Sequence, residues 1–168
     1  MRVLIALPLL LAAGPAADPV NDLAGRYYRQ FPNGTMAGEK YTGQDIVEIV
    51  PVTPRAAYVR LSLDFFNGHV CGIYGVATVD GDALVYRDPR DPGDGGTRCT
   101  LTLRQQSGKL RWSDAEGSCQ SYCGARGTLN GELPMASKRP IRYLPRLKAS
   151  RQYREAIEEW RTGKPVNP

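Results

Sequence analysis

At 168 residues the chain suits one domain with appendages, long enough to bury a single core. Its net charge of +5 is unevenly spread: residues 18–137 carry 12 Lys and Arg against 14 Asp and Glu, whereas residues 138–168 carry 9 against 3. The basic excess belongs to a tail, so a nucleic-acid partner is excluded for the neutral-to-acidic body.

Met1 and Arg2 precede an apolar run over 3–13, and Gly14, Pro15, Ala16 and Ala17 supply the small residues of a cleavage site. This is the pattern of a secretory signal peptide over 1–17, cut after Ala16 or Ala17. The run is too short for a membrane anchor and contains Pro8. No cysteine follows it, which excludes lipid attachment there. The expected product is periplasmic or secreted, with no transmembrane segment after signal cleavage.

Residues 18–24 read as a mobile lead-in. A first strand is expected over 25–31, ended by Pro32, Asn33 and Gly34; Asn33-Gly34-Thr35 also fits a glycosylation sequon, but Asn-Gly is a turn signal. A second strand covers 45–50. The clearest alternation follows, with Val59, Leu61, Leu63 and Phe65 on one face and Tyr58, Arg60, Ser62 and Asp64 on the other. Period two of this kind means a half-buried strand. Asn67 and Gly68 turn the chain into 69–79, where Cys71, Ile73, Gly75, Ala77 and Val79 share a face. A hairpin at Asp80 and Gly81 leads to 83–87 with Leu84 and Tyr86 inward. Beyond an acidic loop, Cys99, Leu101 and Leu103 alternate with polar residues; Ser107 and Gly108 turn back into Leu110 and Trp112. A last short strand is expected over 126–131.

These elements predict a mainly β protein: a small antiparallel seven- to eight-stranded barrel-like meander over 18–137, followed by a basic linker and one C-terminal amphipathic helix over 138–168. Cys71, Cys99, Cys119 and Cys123 all fall at one end of the meander. In an exported chain four such cysteines imply two disulfides, with bonds from Cys71 or Cys99 to the Cys119–Cys123 loop favoured and the pairing left open. A zinc site is the rival, set aside because thiolates pair in an oxidising compartment. In the tail, Ala149, Tyr153, Ala156, Ile157 and Trp160 form one helical stripe over 146–161. Docking of that stripe on the barrel is preferred to a partner site, because short helices need tertiary packing.

Catalytic schemes find little purchase. His69 is the single histidine, two residues before Cys71, and no Gly-x-Ser-x-Gly, Cys-x-x-Cys or phosphate-loop motif is present. The loop with Asp88, Asp91 and Asp94 lacks the spacing of an EF-hand. No metal or cofactor is therefore expected. Binding is assigned to the stapled end, at Gln120, Ser121, Tyr122 and Arg126, with Tyr153, Ile157 and Trp160 as anchors if the helix is free.

The blocks Cys71-Gly-Ile-Tyr-Gly-Val-Ala, Cys99-Thr-Leu-Thr-Leu and Cys119…Cys123-Gly-Ala-Arg-Gly-Thr-Leu-Asn-Gly131 resemble a group of uncharacterised exported bacterial proteins. That resemblance implies a periplasmic protein and carries no activity. In size and build the body also looks like the small periplasmic lysozyme inhibitors, although their inhibitory loop has no match here. The functional expectation is a non-catalytic binding domain at the cell envelope whose partner is an unknown protein or envelope component. The alternatives are an inhibitor of a cell-wall hydrolase and a lipocalin-like carrier of a small apolar ligand. The inward residues read from the strands are apolar, so a filled interior is expected, with function on the loops.

Overall fold

The computed structural model describes residues 18–90, 92–93 and 95–166. The expected signal peptide, and Asp91 and Asp94 of the acidic loop, lie outside the described residues. Eight strands follow one another in a single antiparallel sheet: β1 (Gly25–Gly34), β2 (Lys40–Thr53), β3 (Ala56–Asp64), β4 (Val70–Asp80), β5 (Ala83–Arg87), β6 (Thr100–Gln106), β7 (Lys109–Asp114) and β8 (Gly131–Pro134). Each pairs only with its neighbours, and the sheet curls into a nearly closed barrel.

Alternation decides the inner face. Val59, Leu61 and Leu63 of β3, Cys71, Ile73 and Ala77 of β4, Leu84 and Tyr86 of β5, and Leu101, Leu103, Leu110 and Trp112 beyond them all enter one buried cluster. Burial of a Leu, Ile or Val side chain stabilises by about 1.5–3 kcal/mol, so this cluster is the main driving force. Gly75 shares the inward parity of Ile73 and Ala77, and the Tyr86 ring lies over it where a Cβ would stand.

The two ends of the barrel differ. At one end the connections are the tight turns 54–55, 81–82 and 107–108, where Ser107 and Gly108 both adopt positive φ, the signature of a twisted two-residue hairpin. The lead-in is not mobile at this end. It forms α1 (Pro19–Leu23), capped by Asp18, whose carboxylate accepts from the Asn21 N–H at 3.1 Å. Val20 and Leu23 of α1 are buried in the core and close the barrel floor. The opposite end carries the long loops and two disulfides, Cys71–Cys123 and Cys99–Cys119.

Besides the longer β2, the strands differ from the expectation in three respects. β1 runs through Pro32 to Gly34, so Asn33-Gly34 is not the turn; Gly34 pairs with Lys40. Pro32 has the same parity as Arg26, whose N–H points away from β2 to the Arg139 carbonyl at 2.8 Å, so the missing Pro N–H removes no rung of the β1–β2 ladder. The last strand starts only at Gly131. Before it, the Asn130 N–H bonds the Thr128 hydroxyl at 3.2 Å, a local bond that competes with the ladder, while Leu129 plugs the core.

Third, β3 is half-buried only beyond Arg60, since Ala56 and Tyr58 on its outer face are buried too while Ser62 stays exposed. That part of the outer face lies under the tail, where Tyr58, Val50 and Val76 form a second buried cluster with Leu147 and Ala156. The expected single helix is two: α2 (Leu144–Lys148) and α3 (Arg151–Thr162). Ser150 separates them as the α3 N-cap, its hydroxyl accepting from the Tyr153 N–H at 3.2 Å. Gly163, at φ 64°, ends α3 in the left-handed conformation. The stretch read as a linker also joins the barrel, since Arg139 and Arg26 exchange both backbone hydrogen bonds across the β1–β8 seam.

Candidate functional site

The inner-face parity of Tyr27 continues along β1 to Arg29, Phe31 and Asn33 as the strand climbs towards the stapled end. On β2, Asp45 shares the inner parity of Val47 and Ile49 and lies directly opposite Arg29, with which it forms an ion pair. The upper part of the barrel therefore sets a few charged and amide groups among aromatic rings, while the lower part is filled by aliphatic side chains. A cup of about 720 Å³ opens there. Its walls include Arg29, Phe31, Asp45, Phe65, Phe66 and Asn130, and Trp112 sits at its base.

Two glycines shape the cup by letting rings lie flat. A Cβ on Gly43 would stand 2.8 Å from the Phe31 ring, and one on Gly131 would stand 2.5 Å from the Trp112 ring. The rim is held by a short network: Asn33 Nδ2 donates to the Phe65 carbonyl at 3.0 Å, and Tyr41 OH donates to the same carbonyl at 3.1 Å. The Asp64 carboxylate accepts from the Gln44 N–H at 2.9 Å.

Among the described residues four buried side-chain polar atoms have no partner: Arg26 Nε, Tyr58 OH, Tyr86 OH and Trp112 Nε1. Trp112 is 4% exposed, and its indole N–H is closed off from solvent without an acceptor. An unmet buried donor costs about 1–3 kcal/mol. Beside it, Asn130 Nδ2 donates to the buried Asp114 carboxylate at 2.6 Å and to the Thr128 hydroxyl at 3.0 Å. A carboxylate only accepts, so the amide is fixed with its oxygen turned away from Asp114.

A second polar cluster lies where β4 and β5 part. They pair only from Thr78 to Asp80, and the gap is filled from outside the sheet. Arg90 donates to Tyr122 OH at 2.9 Å and to Glu159 of α3 at 3.3 Å, and it lies 3.5 Å from Asp88. Tyr122 in turn donates to Asp88. Burial, and then the bond to that carboxylate, push the Tyr122 phenol up to about 12. Beside this cluster is a cavity of about 240 Å³, lined by Tyr86, Asp88, Glu159 and Trp160 among others. Both carboxylates are already satisfied, so the cluster serves as the clamp that joins α3 to the barrel.

The residues singled out in the sequence scatter across these features. Gln120 and Ser121 are exposed; Gln120 Nε2 donates to the Gly127 carbonyl at 3.4 Å. Tyr122 belongs to the clamp. Arg126 lies 5.9 Å above the Phe66 ring and so reaches the rim of the cup. Tyr153 and Ile157 pack against the barrel's outer cluster, with the Tyr153 ring 4.8 Å from Tyr58. Trp160 stays 37% exposed. His69 packs against Gly124, beside the Cys71–Cys123 bond. Among the described residues no three His, Cys, Asp or Glu side chains gather as a metal site.

Sequence reasoning missed Arg29, Phe31, Asp45 and Asn130, and placed Trp112 only in the core. In β1, Tyr27 and Tyr28 lie on opposite faces, and in β2 the Ile46, Glu48 and Val50 face is as apolar as the other. Neither strand shows a polar side, so their inward ends carried no label. Comparison of the chain with protein-family models, with curated proteins and with solved structures found no match.

Proposed function

We propose that the chain is an exported, non-catalytic binding domain of the periplasm or extracellular space, and that it takes its ligand in the barrel-mouth cup. The observation that carries this reading is the open recess of about 720 Å³ at the barrel mouth, where Arg29, Asp45 and Asn130 stand among the rings of Phe31, Phe65 and Phe66. Barrel mouths are common ligand sites, and a few placed polar groups among apolar walls are what such sites need. The two disulfides hold the surrounding loops, which lowers the entropy lost on binding.

The inhibitor reading has its own support in the rim. Met36, Phe66 and Val70 are three large hydrophobic side chains left exposed at 71%, 45% and 55%, the first two on connections at the barrel mouth and Val70 at the start of β4. Apolar side chains ringing a recess suit a protein-sized partner. A carrier that encloses an apolar molecule is disfavoured, because the lower barrel is occupied by its own side chains.

The test is a fragment screen by amide and indole NMR on the mature protein. Shifts should cluster on the Trp112 indole N–H and on Arg29, Phe31, Asp45 and Gly131. Shifts confined to Tyr86, Asp88 and Trp160 would move the site to the α3 cavity and overturn the proposal.

A further inference from the structure

The tail presents a second surface, away from the cup. α2 and α3 lie over the outer cluster on the side wall of the barrel, with Leu147, Tyr153, Ala156 and Ile157 packed with Val50, Tyr58 and Val76. What the helices leave to solvent is almost all cationic. Arg142, Arg146, Lys148, Arg151, Arg154 and Arg161 are exposed, and Glu158 is the one exposed acid between residues 141 and 164. Glu155 accepts from Tyr74 OH at 2.8 Å, and Glu159 is buried against Arg90.

Packing does not account for these cations. Arg154 and Arg161 stand seven residues apart, two turns along the exposed side of α3, and Lys148 ends α2. Arg142, Lys148 and Arg161 form no ion pair among the described residues. Clustered like charges repel one another and destabilise the compact state. An anionic surface laid over them removes that repulsion.

Two apolar side chains indicate which kind of surface. Trp160 and Val166, 37% and 41% exposed, lie at the C-terminal end of α3. The Val166 N–H donates to the Glu159 carboxylate at 3.1 Å, so the chain end folds back against the last turns of the helix. A strand of nucleic acid is tracked by a groove, but the six cations stand clear of the recesses at the mouth and beside α3. A broad cationic face edged by an exposed indole fits a phospholipid surface, where charge meets the headgroups and Trp settles at the apolar boundary.

We infer that the α2–α3 face docks the barrel on an anionic phospholipid surface, with Trp160 entering the interface. None of the six cations lines the cup, so the mouth stays open in this pose and the inference holds whatever the cup takes.

The experiment mixes the mature protein with phosphatidylcholine vesicles, with or without phosphatidylglycerol, and reads co-sedimentation and indole fluorescence. The chain has two tryptophans and Trp112 is 4% exposed, so a blue shift reports Trp160. Binding should require phosphatidylglycerol, weaken with salt and shift the emission to the blue. Arg142→Gln, Lys148→Gln and Arg161→Gln together should weaken it about 100-fold, at about fivefold for each cation. Trp160→Ala should keep the fold, abolish the shift and weaken binding about 10-fold. Arg104→Gln, Lys109→Gln and Arg111→Gln remove the same charge from β6 and β7, away from the tail, and should change binding far less. An equal loss in this control would overturn the assignment of the face. Failure to sediment with the phosphatidylglycerol vesicles overturns the inference, whether or not poly-glutamate or single-stranded DNA binds instead.

Discussion

The inside of the barrel and the outer face beneath α3 both exclude solvent, but with different chemistry. The interior cluster is aliphatic and aromatic, contributed by every strand and by α1. The outer cluster is a thin apolar patch bordered by buried or half-buried charge. Glu48, fully buried, bonds Arg60 at 2.5 Å and accepts from Tyr143 OH; Tyr74 OH donates to Glu155 at 2.8 Å; Glu159 is held by Arg90. Interior packing gains from area alone. The interface needs each polar group matched, because a buried charge without its partner is strongly destabilising. The tail is thus attached by specific pairs, whereas the barrel is held by bulk burial.

That contrast can be broken most forcefully at the staples. Replacing Cys71 and Cys123 together with Ala should cost about 4 kcal/mol, and replacing Cys99 and Cys119 about 3 kcal/mol, since the first bond closes 52 residues and the second 20. Urea melts of both variants check the order. Equal losses would show that the denatured chain does not follow loop length.

A matched pair of substitutions then sets interior against interface. Leu101→Ala, in the interior, should lose about 3 kcal/mol as a cavity. Glu48→Ala should lose about 2 kcal/mol, less than a fully buried pair because the Arg60 side chain is 27% exposed. The two should differ in a double variant with Arg60→Ala. Its loss added to Glu48→Ala should be less than additive, whereas added to Leu101→Ala it should be additive. Additive behaviour at Glu48 would remove the ion pair from the account of the interface.

Alkaline pH probes both regions through their phenols. Burial raises the Tyr27 phenol to about 12, inside the barrel, and Tyr122 is raised to about 12 in the clamp. Burial, and then bonds to Glu155 and Glu48, also raise Tyr74 and Tyr143 at the interface. The folded state favours the neutral phenol in each case. Their contribution is fully present below pH 10, the ordinary tyrosine value, and is lost as pH rises from there towards 12. Melting temperature should fall across that window, and Tyr143→Phe should flatten the interface part of the fall. A melting temperature constant to pH 12 would contradict the burial of these rings.

The smallest effect is expected at Trp160. Its ring is 37% exposed, at the edge of the α3 cavity, so Trp160→Ala should change stability by no more than about 1 kcal/mol. A loss of several kcal/mol would mean that the indole anchors the helix.

Legibility followed these same regions. Strands with contrast between faces, such as β3, β6 and β7, were placed with their inward residues correct, because period two reports directly which side meets the core. The stapled end was legible from Cys71, Cys99, Cys119 and Cys123, since strand direction puts all four at one end. The cup was not. Arg29 and Asp45 look like any exposed charges until closure of the sheet turns β1 and β2 so that their upper ends face inward across the mouth.

What the sequence by itself determined was the meander, its two disulfides' location and the amphipathic tail, all properties of local periodicity and turn chemistry. Only the tertiary structure decided that Cys71 pairs with Cys123 and Cys99 with Cys119, that Arg139 holds the seam against Arg26, and that Tyr58 on the outer face of β3 is buried under the tail. Pairing and covering depend on which surfaces meet when the sheet closes. Such long-range matches of Glu48 with Tyr143, or Arg90 with Glu159, leave no periodic trace in the chain.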